Sequence, residues 1–326
     1  MHMRQYSRIE EEMRRPTAIL TTLAIAAGLA AGPAAAANKP PPNINPQRFG
    51  EKQPDEAYGA FQRGLYITAL KLALERVKKG DGAAEMLAAE IYSRGLGVPR
   101  DEKKAAKLYK AAADKGIIAG KFQYALILLD GKFAKRNEDK AFELLKEAAD
   151  EGNMLAAFNF AQLALARQPG STGEKIAARY YEQAAEDGLA DAQYAMARIY
   201  AEGTAGYPRN DVKARELLLK AARQNYDAAQ VDLGLWLLNG KGGPKDEKAG
   251  FGWIKAAAEG GNVVAENRIA KLYREGIGTE GDPIAAAAWY ITARRAGLND
   301  PDMDVFLEGL TDDQQKAALD RANKLR

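Results

Sequence analysis

Chemistry at a protein surface most often needs imidazole, thiolate or a matched pair of carboxylates, and this chain is poor in the first two. Its one histidine is His2 and it has no cysteine. If the N-terminal segment is removed as argued below, the remaining chain has neither, which excludes His-based triads, thiol nucleophiles and imidazole or thiolate zinc sites. Carboxylate pairs such as Asp187 with Asp191, or Glu259 with Glu266, have the residue types for acid–base cleavage of a glycan. Nothing in their surroundings separates them from the many other acids. Trp236, Trp253 and Trp289 could stack on a ligand, but each sits at helical register, where packing is the commoner use. The Gly-x-Gly of "GLGVPRD" at 95–101 follows no strand and lacks the third glycine of a nucleotide-binding loop. No catalytic residue, metal ligand or cofactor is therefore expected, and the chain reads as a non-enzyme.

The elements that would carry any site are repeated. The stretch "KAAADKG" at 110–116 returns as "KEAADEG" at 146–152, "EQAAEDG" at 182–188 and "KAAAEG" at 255–260. Closing residues fall at Gly80, Gly116, Gly152, Gly188, Asn225, Gly260 and Gly297, at spacings of 36, 36, 36, 37, 35 and 37. Glycine, or asparagine in its place, suits a left-handed residue that ends a helix. A second marker, Gly64, Gly95, Gly131, Arg167, Gly203, Gly240 and Gly276, ends an earlier helix in each unit. Capping residues Asp101, Asn137, Asn210 and Asp282 lie fifteen before their closing residue, with Asp246 and Thr172 shifted by one. Alanines seven apart put a small face on each second helix, so neighbouring helices can approach closely.

One helix pair cannot bury its apolar face alone, so the units must stack. The fold expected is all-α: an α-solenoid of seven antiparallel helix pairs, in units 55–80, 81–116, 117–152, 153–188, 189–225, 226–260 and 261–297. The first unit is the shortest and serves as a cap. Residues 298–326 form a C-terminal capping helix, with Thr311 and Gln314 as its capping box.

Ahead of the repeats, Arg14 and Arg15, the apolar run Thr17–Ala31 and "GPAAAAN" resemble a secretory signal over 1–37, with the true start at Met13. The run is shorter than the roughly 20 residues a membrane span needs. Residues 38–54, rich in Pro and Asn, read as an extended leader. Export to the periplasm or medium follows, with no lipid-modified cysteine and no stable membrane insertion after processing. Charge is near balance, 47 Lys and Arg against 44 Asp and Glu, and dispersed, which disfavours nucleic acid as a partner.

The stretch "LAAEIYSRGLGVPRDEKKAAKLYKAAADKG" at 87–116 closely resembles a Sel1-like repeat, a longer-looped relative of the tetratricopeptide repeat. The resemblance covers about 240 of the 326 residues; Arg167, where the pattern has glycine, is its clearest departure. It implies a scaffold or adaptor that binds other proteins, here one of the cell envelope, such as a sensor or secretion apparatus. The alternative reading is a periplasmic binder or hydrolase of cell-wall fragments or small molecules.

If the units stack like tetratricopeptide repeats, first helices line a groove. The position nine before the first-helix marker gives Met86, Phe122, Phe158, Tyr194, Val231 and Asn267; Leu126, Leu129, Leu155, Leu165, Leu235 and Leu238 adjoin it. The expected partner site is Met86, Phe122, Leu126, Phe158, Tyr194, Val231 and Leu235, with a polar end at Lys271, Arg274 and Glu275. Packing against the next unit is the competing role for these side chains.

Overall fold

The structure is a computed structural model and describes residues 55–325; the expected signal segment, leader and Met13 start fall outside the described residues. Sixteen α-helices and no strands make up the described chain. They are α1 (Glu56–Gln62), α2 (Tyr66–Val77), α3 (Gly82–Arg94), α4 (Glu102–Asp114), α5 (Ile118–Asp130), α6 (Glu138–Asp150), α7 (Met154–Arg167), α8 (Ser171–Glu186), α9 (Ala190–Glu202), α10 (Asp211–Ala222), α11 (Asp227–Asn239), α12 (Glu247–Glu259), α13 (Val263–Glu275), α14 (Pro283–Arg295), α15 (Pro301–Glu308) and α16 (Asp312–Ala322). From α1 to α14 each helix packs on the one before it and the one after it, which is the connectivity of an α-solenoid.

The repeat signals act as read. Asp101 accepts from the Lys104 amide at 3.0 Å, Asn137 from Lys140 at 3.0 Å, Asn210 from Lys213 at 3.0 Å and Asp282 from Ala285 at 2.8 Å, each answering an orphan donor of a first helical turn. Asn225 sits at φ +63°, the left-handed conformation that its place among the glycines required. One marker moves. Gly260 is right-handed at φ −74° and Gly261 holds the left-handed turn at φ +87°, so the sixth unit closes one residue later than the alanine pattern suggested. Asp246, which caps α12, then stands fifteen before its closing glycine like the others.

Arg167 changes its unit. Without a glycine to turn at, α7 runs through Arg167, and only 168–170 separate it from α8, against 95–101 between α3 and α4. The Arg167 guanidinium lies 4.7 Å from the Phe142 ring and pairs with Asp139, both on α6 of the preceding unit. Thr172 does not cap; Gly170 takes the N-cap position of α8 with no side-chain bond.

Small residues set the helix spacing. A Cβ on Gly234 would meet the Gly250 carbonyl at 2.9 Å and one on Gly250 the Gly234 carbonyl at 2.8 Å, so α11 and α12 cross backbone to backbone. The Gly-x-Gly turn is also structural: a Cβ on Gly97 would press on Tyr66 and Ile67 of α2, and one on Gly242, its counterpart in the 240–242 turn, would strike the Asp211 carbonyl at the start of the preceding unit's α10. The largest core cluster runs from α5 to α11 around Phe160, which is 2% exposed and contacts the Phe142 and Tyr180 rings at 4.7 and 4.6 Å. A second cluster joins α11 to α15.

The single C-terminal helix expected over 298–326 is two helices. Asp300 caps α15 ahead of Pro301, as Asp282 caps α14 ahead of Pro283, and Thr311 with Gln314 forms the capping box of α16. It is α16 that packs along α14 and closes the stack, burying Ala318 and Ala322.

Candidate functional site

Side-chain bonds link helices of the same kind in neighbouring units, on two sides of the stack. On the second-helix side, Tyr180 of α8 donates to Asp150 of α6 at 2.7 Å. On the first-helix side, Tyr194 of α9 donates to Asp232 of α11 at 2.9 Å, across one repeat.

The expected groove residues divide by burial. Phe122 and Val231 are 7% exposed and belong to the core, so they are not available to a partner. The adjoining Leu126 and Leu235 are half-buried at the wall. Met86, Phe158 and Tyr194 are also half-buried. Phe158 rests at 5.4 Å on the ring of Tyr181 in its own unit, whose hydroxyl burial pushes up to about 12. Tyr194 packs at 5.1 Å on Tyr226, the residue that opens the next first helix. Both aromatics thus combine packing with a remaining accessible edge.

Several wall residues had no signal in the repeat pattern. Asp232 is half-buried, and its carboxyl is pushed above the usual carboxylate range by burial, against the opposing pull of the Tyr194 hydroxyl, Arg198 and Lys241. Lys241 lies 4.0 Å from the Trp236 ring. Together Tyr194, Tyr226, Asp232, Leu235 and Trp236 make an aromatic, weakly polar stretch on α9 and α11. Behind it, Gln193 and Gln230 reach back 3.2 Å to the carbonyls of Ala185 and Ala222 in the last turns of α8 and α10, satisfying acceptors that a helix end leaves open. Their shared register, ten before the first-helix glycine, was the available signal.

The last unit differs. Asn267 is 9% exposed and donates at 2.8 Å to Asp300, while Lys271 and Arg274 pair with Asp300 and Asp302 at 2.6 and 2.9 Å. The polar end of the groove is therefore covered by α15.

The residues considered for chemistry do not assemble. Glu266 is 2% exposed whereas Glu259 is on the surface, so the pair cannot flank one bond. Trp289 is 3% exposed and part of the core. Glu182 is held by Tyr207 at 2.7 Å, Tyr200 at 3.3 Å and Lys213 at 3.9 Å on the second-helix side, a network closed by its own bonds. Among the described residues no group of three or more His, Cys, Asp or Glu could hold a metal ion, and no helix is long and apolar enough to cross a membrane.

Stacked helical hairpins with a closing glycine, capped second helices and alanine contacts define an α-solenoid of the tetratricopeptide-related class. The Sel1 repeat model matches residues 82–117, 118–153, 159–189, 190–226, 227–262 and 263–298, and the chain belongs to the Sel1 repeat family. The match in the Arg167 unit begins late, where the first helix departs from the pattern. Among curated proteins, the chain is 29% identical over 246 residues to chitin synthase regulatory factor 3 of Schizosaccharomyces pombe, covering 73% of this chain and 26% of that one. It is 32% identical over 108 residues to the chitin synthase regulator SKT5 of Malassezia restricta, covering 32% of this chain and 8% of that one. The chain thus spans about a quarter or less of these relatives. A Sel1 repeat protein from Oxalobacter formigenes superposes with a TM-score of 0.63 at 23% identity, over 75% of this chain and 98% of that one. A protective antigen of uropathogenic Escherichia coli gives 0.57 at 26%, over 80% and 64%. Repeats of this family are protein-interaction scaffolds.

Proposed function

We propose that this chain is an exported, periplasmic or secreted, non-enzymatic adaptor that binds a segment of another envelope protein along its first-helix wall and so modulates a sensor or secretion apparatus. The observation that carries the reading is the run of half-buried apolar side chains on successive first helices, Leu126, Phe158, Tyr194 and Leu235, flanked by Tyr226 and Trp236. Apolar surface repeated at this spacing suits an extended or helical peptide lying across several units. The two fungal relatives carry names that assign them regulation of an enzyme, which fits an adaptor role; their target is not transferred, because so little of their length is shared. Export rests on the basic and apolar pattern of residues 14–37.

The test is in-cell cross-linking of the full chain, read by mass spectrometry, for the parent and for a Leu126→Glu, Tyr194→Ser, Leu235→Glu variant. Loss of the cross-linked partner with helical circular dichroism retained is expected. An unchanged set of cross-links in a folded variant, or fractionation of the chain with the cytoplasm, overturns the corresponding half of the reading.

A further inference from the structure

The short helix α15 stands outside the logic of the stack. At the six junctions within the repeats, the residue after the closing Gly or Asn is already the N-cap of the next first helix, as with Asp81, Asn153, Tyr226 and Asn262. After Gly297 two further residues intervene before Asp300, and α16, not α15, packs closely along α14. It is α16 that covers α14, while α15 reaches the core through Met303 and meets α14 little, so what holds α15 needs its own account.

What holds α15 is a set of side chains. Asp300 takes Lys271 at 2.6 Å and Asn267 at 2.8 Å; Asp302 takes Arg274 at 2.9 Å; Asp304 takes the Tyr290 hydroxyl at 2.7 Å and Arg294 at 3.5 Å. Met303 is fully buried between these pairs, and Phe306 lies 5.8 Å from the Arg274 guanidinium. The far side is exposed, with Val305 at 68%. Three carboxylates spaced two apart, facing three basic groups on α13 and α14, with one inserted apolar anchor, form the interface of an acidic helical peptide bound to a basic surface.

We infer that α15 occupies, in cis, a docking site for an acidic, helix-forming segment of another protein, and that the site opens when α15 leaves while α16 stays. Charge complementarity names the occupant: a segment with acids at two-residue spacing and one apolar side chain between them, as in "DPDMD". Being tethered, α15 competes at a high effective concentration, so an outside segment gains access only when the tethered one is weakened or outmatched. The inference rests on the scaffold reading but uses the covered polar end of the first-helix wall and none of the residues proposed to hold the envelope partner, so substitutions at Leu126, Tyr194 and Leu235 leave it untouched and its failure leaves that apolar stretch untouched.

The experiment uses the full chain and a fluorescent peptide of sequence NDPDMDVFLEGL, residues 299–310. Binding to an Asp300→Asn, Asp302→Asn, Asp304→Asn protein should be about tenfold or more tighter than to the parent, because the tethered competitor is weakened. Adding Lys271→Glu and Arg274→Glu should abolish it. Equal binding by parent and triple variant, or binding that survives the charge reversals, overturns the inference. A measurement on the parent stands independently of whether the variant folds. Raising salt to about 0.5 M, where the screening length is a few ångströms, should speed amide exchange in 301–308 and leave 312–322 protected. If the two helices exchange together, or neither responds, α15 is a fixed part of the cap and no site lies beneath it.

Discussion

Two places in the molecule bring a carboxylate against a first helix from the following segment, and they treat it in opposite ways. Between the fifth and sixth units Asp232 is received by the neutral Tyr194 hydroxyl in an aromatic setting, and burial raises its pKa. At the C-terminal end Asp300 is also drawn up by burial, but Lys271 and Asn267 outweigh this and hold it below the usual carboxylate range. The first junction is held by packing and tolerates its acid; the second is held by its acids. Contacts of the first kind respond to lost volume, and those of the second respond to pH and salt.

The largest expected effect separates the two by volume. Phe160→Ala, in the cluster that runs from α5 to α11, should lower stability to urea by about 3–5 kcal/mol. If the loss is below about 1 kcal/mol, the central stack is not packing-dominated and the contrast fails. The next effect concerns acid. Asp300 has a depressed folded pKa, so its contribution is present above the unfolded value near 3.9 and is lost as pH falls through the folded value. Amide protection of 301–308, corrected for intrinsic rate, should therefore drop below about pH 4 while 190–239 stays protected. Simultaneous loss would mean that both junctions are electrostatic. The smallest effect is a gain. Asp232 has a raised folded pKa, so the stability it contributes is present below about pH 3.9 and lost as pH rises through the folded value. Asp232→Asn, which keeps an acceptor for Tyr194, should raise stability by about 1 kcal/mol at pH 7, the scale of one buried polar penalty. The gain should vanish below about pH 4 in thermal melts; a loss at neutral pH would show that the ionised form is wanted.

Much of the fold was legible because the signals are local. A capping side chain and a left-handed residue each act within one turn, so Asp101, Asn137, Asn210, Asp282 and Asn225 could be placed without any knowledge of neighbours. The misplacements arose where two local solutions compete. Both Gly260 and Gly261 could close a helix, and the alanine count favoured the wrong one. Around 167–173 the absence of glycine removed the turn, and Arg167 found its use on Phe142 of another unit, which no local pattern encodes. At α15 the Asp-Pro pair repeats the start of α14 and marked a helix that a single-helix reading passed over.

The candidate wall was less legible for a geometrical reason. Nine before the marker is a fixed register, but how far the neighbouring helices cover that side chain is decided outside its own helix. Phe122 and Val231 are buried while Phe158 and Tyr194 keep an edge outward. Asp232, one position further on, is visible only once Tyr194 of the previous unit is known to reach it.

The closing glycines Gly116, Gly152 and Gly188 share a left-handed backbone, and a Cβ on any of them would meet nothing within 4 Å. Each is a bare joint whose only requirement is its own angle. A cut at one such joint and a splice at the next therefore removes or adds a whole 36-residue module without changing the backbone conformation asked of the joint. The number of modules can thus change while every remaining joint keeps the same backbone requirement, and the reach of the stack is set by counting.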